Sequence, residues 1–412
     1  MRNGFSTFFA RKLSSGALQL AVIISFIVVV LCSLFIMQLY LSSRIVDQGQ
    51  RSVQQTHSVS SAITATIAKL SLSPSQSVFV WNTDSVDVRV INWGLLTMIQ
   101  AQTQGTYPIQ QAYILGVIPD TAVSLYVCDD EQYVGISGAA QIGAKAYVPR
   151  LGLRPEYIGN KGFSGSYKKT EKSSKELPSW THTPLQQIEQ LYAMLNRPLG
   201  YSQEFKDSVC QSFFDSTLVI ENPEYYGRYI RGNIMLISNK SIELTHTHNC
   251  KDIICIAPYI RIKSGFKGAV QLFATDSIVI DSDVILENPS VVCVYNQNMN
   301  PQQIAKVVLS DRSIVVGTIF FKAPEMYKNY SRIEIQNGAT VYGTVISHNY
   351  VENYGTVNGS IYTKNLFAKN SRGVYRNLII DGSIQPIAEP EIFLSLMQNE
   401  TVQQWKRVKK MY

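Results

Sequence analysis

The longest uninterrupted apolar stretch of the chain lies near its start. Residues 17–41 carry no charge and are dominated by Ile, Val, Leu and Phe, 25 positions in all. As a helix rising 1.5 Å per residue they reach roughly 37 Å, more than the ~30 Å hydrocarbon core of a bilayer. A cleavable secretory signal has an apolar core of only about 7–15 residues, so the pattern predicts a permanent transmembrane helix. Beyond it, Ile45, Val46, Val53, Val59, Ile63, Ile67 and Leu70 recur at roughly helical spacing with no proline before Pro74. One continuous helix over 17–72 is therefore expected.

After residue 74 the period changes. Residues 78–165 read as strands of four to seven residues bounded by Gly, Asn and Asp, for example "SVFVW", "AYILGVI" and "QYVGISG", and are assigned to the first part of a repetitive β body. Residues 166–212 turn to Lys, Ser and Glu and then to a helix with Leu185, Ile188, Leu191, Tyr192 and Leu195 on one face, Thr183 as its cap and Pro184 in its first turn. This is an inserted arm. Residues 213–385 return to short paired strands with one polar corner between them, as in "SIVIDSDVIL". Gly343 and Gly359, like Val345 and Ile361, stand 16 apart, and Gly338 and Gly355 stand 17 apart. Rungs of that order are what a solenoid needs to bury a continuous core. The expected fold class is mainly β: an N-terminal transmembrane helix, a parallel β-helix body with a helical insertion, and a C-terminal helical cap with a basic tail over 388–412. A β-sandwich is the alternative, since "QNGAT" and "IDGSI" carry hairpin-type turns.

Composition narrows the classes. Twenty-three tyrosines among 412 residues, with abundant Ile, Val, Asn and Ser, suit β structure. The net charge of +7 comes from 37 basic and 30 acidic residues spread along the chain. Only "SYKKTEKSSK" and "WKRVKKMY" are locally basic. No basic stripe with interleaved aromatics is visible, which excludes nucleic acid as a partner. The six cysteines form no Cys-x-x-Cys pair, so zinc ribbons and thioredoxin-type redox sites are excluded; Cys250 and Cys255 can close a small loop in an oxidising compartment.

Flanking charge sets the orientation. Arg2, Arg11 and Lys12 precede the apolar run without any acid, whereas Arg44 and Arg51 behind it are accompanied by Asp47. The leader, 1–16, is then cytoplasmic and the body lies outside, periplasmic or extracellular. A short basic leader, Gly16 and a hydrophobic helix beginning at Ala17 resemble the signal of type IV pilin-like proteins. The resemblance implies cleavage between Gly16 and Ala17 by a dedicated peptidase, a bacterial inner-membrane location, and a helix retained as anchor and assembly rod; the alternative is a plain signal-anchor in which Gly16 is an incidental interfacial residue. Where most such proteins carry Glu at the fifth position after the cut, this chain has Ala21; in that respect it is similar to minor or tip subunits. "GATVYGTVIS" and "GTVNGSIYT" likewise resemble the rungs of right-handed β-helices and of bactofilin-type polymer-forming domains.

Candidate chemistry is sparse. Asp276, Asp281 and Asp283 in "TDSIVIDSDV" are read as corner residues, where Asp favours turn geometry, rather than as a glycosidase pair. His246, His248 and Cys250 alternate in "LTHTHNC", so a strand there places three metal-type donors on one face; no further His or Cys completes a set, and no metal or cofactor is expected. Nucleophile elbows, phosphate loops and dinucleotide fingerprints are absent from the sequence. The expected function is non-enzymatic: a membrane-anchored structural or assembly component of the cell envelope, partnered by lipid and by other envelope proteins. The alternative is an anchored β-helix that binds or degrades a glycan.

Overall fold

The computed structural model describes residues 15–69, 75–81, 84–105, 107–117, 122–182, 184–195, 197, 208–222, 228–300, 302–326, 329–371, 373–388 and 405–411. The chain begins with one helix, α1 (Ser15–Ala68), and is thereafter mainly β. The helix matches the expectation over 17–72 to within a few residues; the leader 1–14 lies outside the described residues.

The early strands depart from expectation. β1 (Ser75–Trp81), β2 (Asp84–Trp93), β3 (Leu96–Thr103) and β4 (Gln110–Val117) form an antiparallel meander. Its last partner is the C-terminal strand Trp405–Met411, antiparallel to β4. Residues 75–117 are thus not the first part of the repetitive body, and 405–411 are a strand rather than a helix. Short strands with turns between them look alike in either sheet type. At the C-terminus, Trp405 and Met411 at the two ends of a basic run are both buried, which an exposed basic helix would not achieve.

Among the described residues the body is a sheet of 19 strands, parallel throughout except for the hairpin of Thr356–Asn370 with Gly373–Arg376. Long strands bend so that their halves pair with different neighbours: Lys267–Ile280 pairs with Ile285–Tyr295 through one half and with Lys306–Leu309 through the other. Together with Ile314–Lys322, Arg332–Ile335 and Thr340–Asn353 these strands close a six-stranded circuit of parallel pairings. Register is tight. Ile220, Leu236, Cys255, Leu272, Val292, Ile319, Val345, Ile361, Leu125 and Ala146 stand opposite one another in succession, all of them in the central core. Each Val, Leu or Ile side chain of this column withdrawn from water contributes about 1.5–3 kcal/mol. The 16-residue spacings read from sequence hold here, with Gly343 opposite Gly359 and Val345 opposite Ile361.

The order of layers differs from the order of sequence. Val123–Val127 pairs with Thr356–Asn370, and Ser383–Gln385 pairs with the same strand and with Gln141–Ile142. The strands over 123–172 therefore continue the stack where 356–385 leave off, and the chain must return to the far end to begin at Ser208. Residues 173–195 make this return as a strap. It includes a short helix, α2 (Leu185–Tyr192), with Pro184 at its N-cap position and no side-chain cap bond; Thr183, the expected cap, lies outside the described residues. The insertion is shorter than 166–212, because Ser166–Tyr167 and Thr170–Lys172 are strands of the stack.

A second apolar column explains the strap. One residue along from the core column, Ile237, Ile256, Phe273, Cys293, Phe320, Ile346, Tyr362, Tyr126 and Tyr147 also stand in succession, but on the outer surface. Strands apolar on both faces need a cover. The strap covers one end, with Trp180 edge-on to Tyr362 at 4.9 Å and Tyr192 Oη donating to the Ala274 carbonyl at 2.7 Å. The antiparallel sheet covers the other, placing Trp93, Leu96, Met98 and Ile114 in the same cluster as Ile237, Ile256 and Phe273.

Candidate membrane anchor and its docking platform

Helix α1 has two surfaces in succession. From Leu18 to Val46 its large apolar side chains all stand exposed, and the helix is long and apolar enough to cross a membrane, with none of its most apolar window buried. Two hydroxyls inside this stretch are satisfied within the helix: Ser25 Oγ donates to the Val22 carbonyl at 2.9 Å and Ser33 Oγ to the Val29 carbonyl at 2.8 Å. Such local bonds let Ser sit in hydrocarbon at little cost. Ala17, Ala21 and Ser25 recur every fourth residue and share one face, where small side chains permit close helix approach. At the far end the Arg44 guanidinium lies 5.2 Å from the Tyr40 ring centroid, a pairing of a cation and an aromatic of the kind found at membrane–water interfaces.

The second surface begins about four turns later. Val59, Ala62, Ile63 and Thr66 are buried, spaced so that they fall on one helical face. They pack on Val86, Val88, Val90, Ile99, Ala101, Leu115, Val117 and Trp405 of the antiparallel sheet. Arg407 of the C-terminal strand ties the helix down, its Nη2 donating to Thr64 Oγ1 at 2.5 Å and to the Ser60 carbonyl at 3.2 Å. From Ile45 to Gln54 the helix is exposed and mostly polar, a standoff of roughly 15 Å at 1.5 Å per residue, and the docked surface begins at the buried Ser58. The sheet's opposite face meets the parallel stack, where Trp93 and Phe213 pack edge to face at 5.0 Å. Contacts therefore run without a break from α1 through the antiparallel sheet to the parallel stack.

The residues singled out from sequence fare differently. Gly16 and Ala17 lie in the first turns of α1, and a Cβ at Gly16 would meet nothing within 4 Å. His246, His248 and Cys250 are not brought together: residues 245–248 form a turn between Ser241–Leu244 and Asn249–Ile262, so strand alternation fails. His248 Nδ1 accepts the Thr245 N–H at 2.9 Å, while Cys250 points into the core, where burial pushes its thiol up to about 12. Among the described residues no group of three His, Cys, Asp or Glu side chains is arranged to hold a metal ion. Cys250 and Cys255 are both free and buried. Asp281 binds Arg261 at 3.2 Å, Asp283 binds Arg312 at 2.7 Å from a backbone at φ +58°, and Asp276 meets Asn296 at 3.4 Å. These are corner and ion-pair roles.

No protein family, curated protein or solved structure matches this chain.

Sequence reasoning missed the residues that join the parts. Gln271 was such a residue, and its signal was a lone amide inside the apolar run "AVQLFA". His348 on the stack and His182 in the strap, their rings 4.6 Å apart, carried no local signal at all, because 166 positions of chain separate them.

Proposed function

We propose that this chain is a single-pass, membrane-anchored assembly protein of a bacterial cell envelope, with its leader in the cytoplasm and its body periplasmic or extracellular. The body is a right-handed parallel β-helix of three-sided rungs, the hand following from the preference of parallel crossovers. It acts without catalysis: α1 packs laterally in the inner membrane, and the stack presents its surface to other envelope subunits. The observation that carries this reading is the division of α1 into an exposed apolar length and a docked length with a polar standoff between them. A helix that only anchored would need no rigid seat on the body. The Ala17, Ala21 and Ser25 stripe and the polar Gln38 give the apolar length a face for lateral contacts. A minor pilin-like subunit is the most specific form of this reading.

The test is the mass of the N-terminal peptide from protein extracted from native membranes. A mature chain beginning at Ala17, with a methylated amine, supports the pilin-like form. A chain beginning at Met1 or Arg2 removes it and leaves an ordinary anchor. Reporter fusions after residue 46 that are active only in the cytoplasm would overturn the orientation.

A further inference from the structure

The two ends of the parallel stack match one another. Among the described residues, Ser208–Gln211 and Leu218–Glu221 pair on one side only, with Tyr229–Ile237. At the other end Ser166–Tyr167 and Thr170–Lys172 pair on one side only, with Gln141–Ile142 and Lys145–Val148. Each end therefore presents the edge of a parallel ladder. At the late end the Lys168 N–H donates to the Ile142 carbonyl at 3.2 Å and the Ser173 N–H to the Val148 carbonyl at 2.9 Å. The backbone groups of the alternate residues Tyr167 and Lys172 then face away from the stack, as a template for a further strand. The central core also runs out at both ends into side chains that are only partly buried, Phe163 and Leu153 at the late end, Val209 and Leu218 at the early one.

The ends carry opposite charge. Residues 153–172 hold five bases and two acids. Glu171 is already bound by Lys145 at 2.8 Å and by Lys169 at 3.3 Å, which leaves Lys168 and Lys172 exposed. The early end is the converse: residues 208–222 hold Asp215 and Glu221 and no base, and Asp215 is exposed in the corner between the two strands. These corners lie on the same edge of the stack. Layer by layer, the pairings lead from Ser208–Gln211 to Ser166–Tyr167 on one side and from Leu218–Glu221 to Thr170–Lys172 on the next.

We propose that the late end of one copy receives the early end of a second. Ser208–Gln211 adds to Ser166–Tyr167 and Leu218–Glu221 to Thr170–Lys172, about 4.8 Å apart as in the interior of any sheet, and the corner with Asp215 meets the corner with Lys168 and Lys169. The contact joins two different surfaces of the chain, so it does not close on itself and copies line up in a row. This inference rests on the assembly reading and names its partner as a second copy; it needs neither the leader nor the orientation of the anchor.

Charge-swapped full-length proteins in nonionic detergent test it by sedimentation. The wild type is expected to form a series of two, three and more protomers at low ionic strength and to shift toward single protomers as salt is added. Asp215→Lys alone, and Lys168→Glu with Lys169→Glu alone, are expected to stay single, because in each protein both ends carry the same sign. An equimolar mixture of the two should recover the series, since each end again meets its opposite. A cross-link checks the register. Cys210 is exposed and follows Val209, whose position on the last layer is taken by Tyr167, so it is opposed by Lys168 of the next copy. In a Cys32→Ser background, Lys168→Cys is expected to give a disulfide-linked ladder on mild oxidation. The ladder should be lost with Cys210→Ser and absent when the new thiol is Asn337→Cys, which is exposed on the flank of the stack. A wild type of single protomers, an association that the swaps leave intact, as contacts through α1 alone would give, or a mixture that stays dissociated overturns the proposal. None of these outcomes alters the mass of the N-terminal peptide, so this inference and the anchoring reading fail separately.

Discussion

The side chain of Gln271 closes the turn at Leu95, 176 positions away in sequence: Oε1 accepts the Leu95 N–H at 3.0 Å, and Nε2 donates to the Trp93 carbonyl at 2.9 Å. Gly94 between them has φ +63°, and a Cβ there would come 2.2 Å from Gln271 Oε1. One buried amide thus joins the antiparallel sheet to the parallel stack. Gln271→Leu keeps the volume but orphans two buried backbone groups, at about 2–4 kcal/mol together. Its thermal midpoint in detergent should fall clearly below that of the wild type. An unchanged midpoint would mean that the turn finds its bonds elsewhere.

At one corner of the stack, glycine sits on glycine. Gly317, Gly343 and Gly359 stand in register at φ +149°, +140° and +151°. A Cβ on Gly343 would lie 1.9 Å from the Gly317 carbonyl oxygen. Gly343→Ala must therefore separate two layers as well as strain its own backbone, and is expected to cost at least about 3 kcal/mol. Gly373→Ala, where nothing lies within 4 Å, should stay within about 0.5 kcal/mol of wild type. Comparable midpoints for the two variants would contradict the stacking at this corner.

That glycine column was partly legible beforehand, and its limits are instructive. Gly343 to Gly359 repeats because Thr340–Asn353 and Thr356–Asn370 follow one another and pair in parallel register, so spacing in sequence equals spacing in space. From Gly317 to Gly343, which are also in parallel register, the interval in sequence widens to 26, and the repeat disappears from view. The order of layers was not legible either: Leu125 lies on Ile361, and nothing local in "VSLYV" announces a partner so late in the chain. For the antiparallel sheet, β2 alternates "VDVRV" with Val86, Val88 and Val90 buried, which is the pattern of a strand with two different faces. The strands of the stack read instead as continuous apolar runs, such as "IICIA". That contrast distinguishes the two sheets, but only once it is known that both faces of the stack are covered.

Acid should loosen the strap. His348 is held down to about 4, first by burial and then by the neighbouring His182; Lys322 and Lys364 add to the same direction, and the Thr181 carbonyl opposes it. His182 is also lowered by burial and by Lys322. In the unfolded chain both titrate near 6.5. Between those values the unfolded state binds protons that the native state does not, so this contribution to stability is complete above about pH 6.5 and is lost as pH falls toward 4. The midpoint should drop between pH 6.5 and 5, above the range where most carboxylates titrate. His348→Gln can still donate to the Thr181 carbonyl and should show a shallower drop. Equal slopes for the two proteins would remove His348 from the account.

The C-terminal strand holds three parts together, and its lysine tests how. Trp405 packs in the cluster under α1, Met411 in the cluster on the parallel stack, and Arg407 bonds to the helix. Lys409 Nζ reaches across to Asp252 Oδ1 at 2.6 Å, where the Asp side chain is only 6% exposed. Removing one partner of a buried pair leaves the other charge unpaired, which costs about 3–5 kcal/mol. Lys409→Met is therefore expected to lower the unfolding midpoint strongly. Adding Asp252→Asn removes the stranded carboxylate, and Asn suits the φ of +59° at that position. The double variant should accordingly recover more than half of the loss in a mutant cycle measured by denaturant unfolding. If the two single losses simply add, the pair is uncoupled, and the strand is held to the stack by Met411 and its apolar neighbours alone.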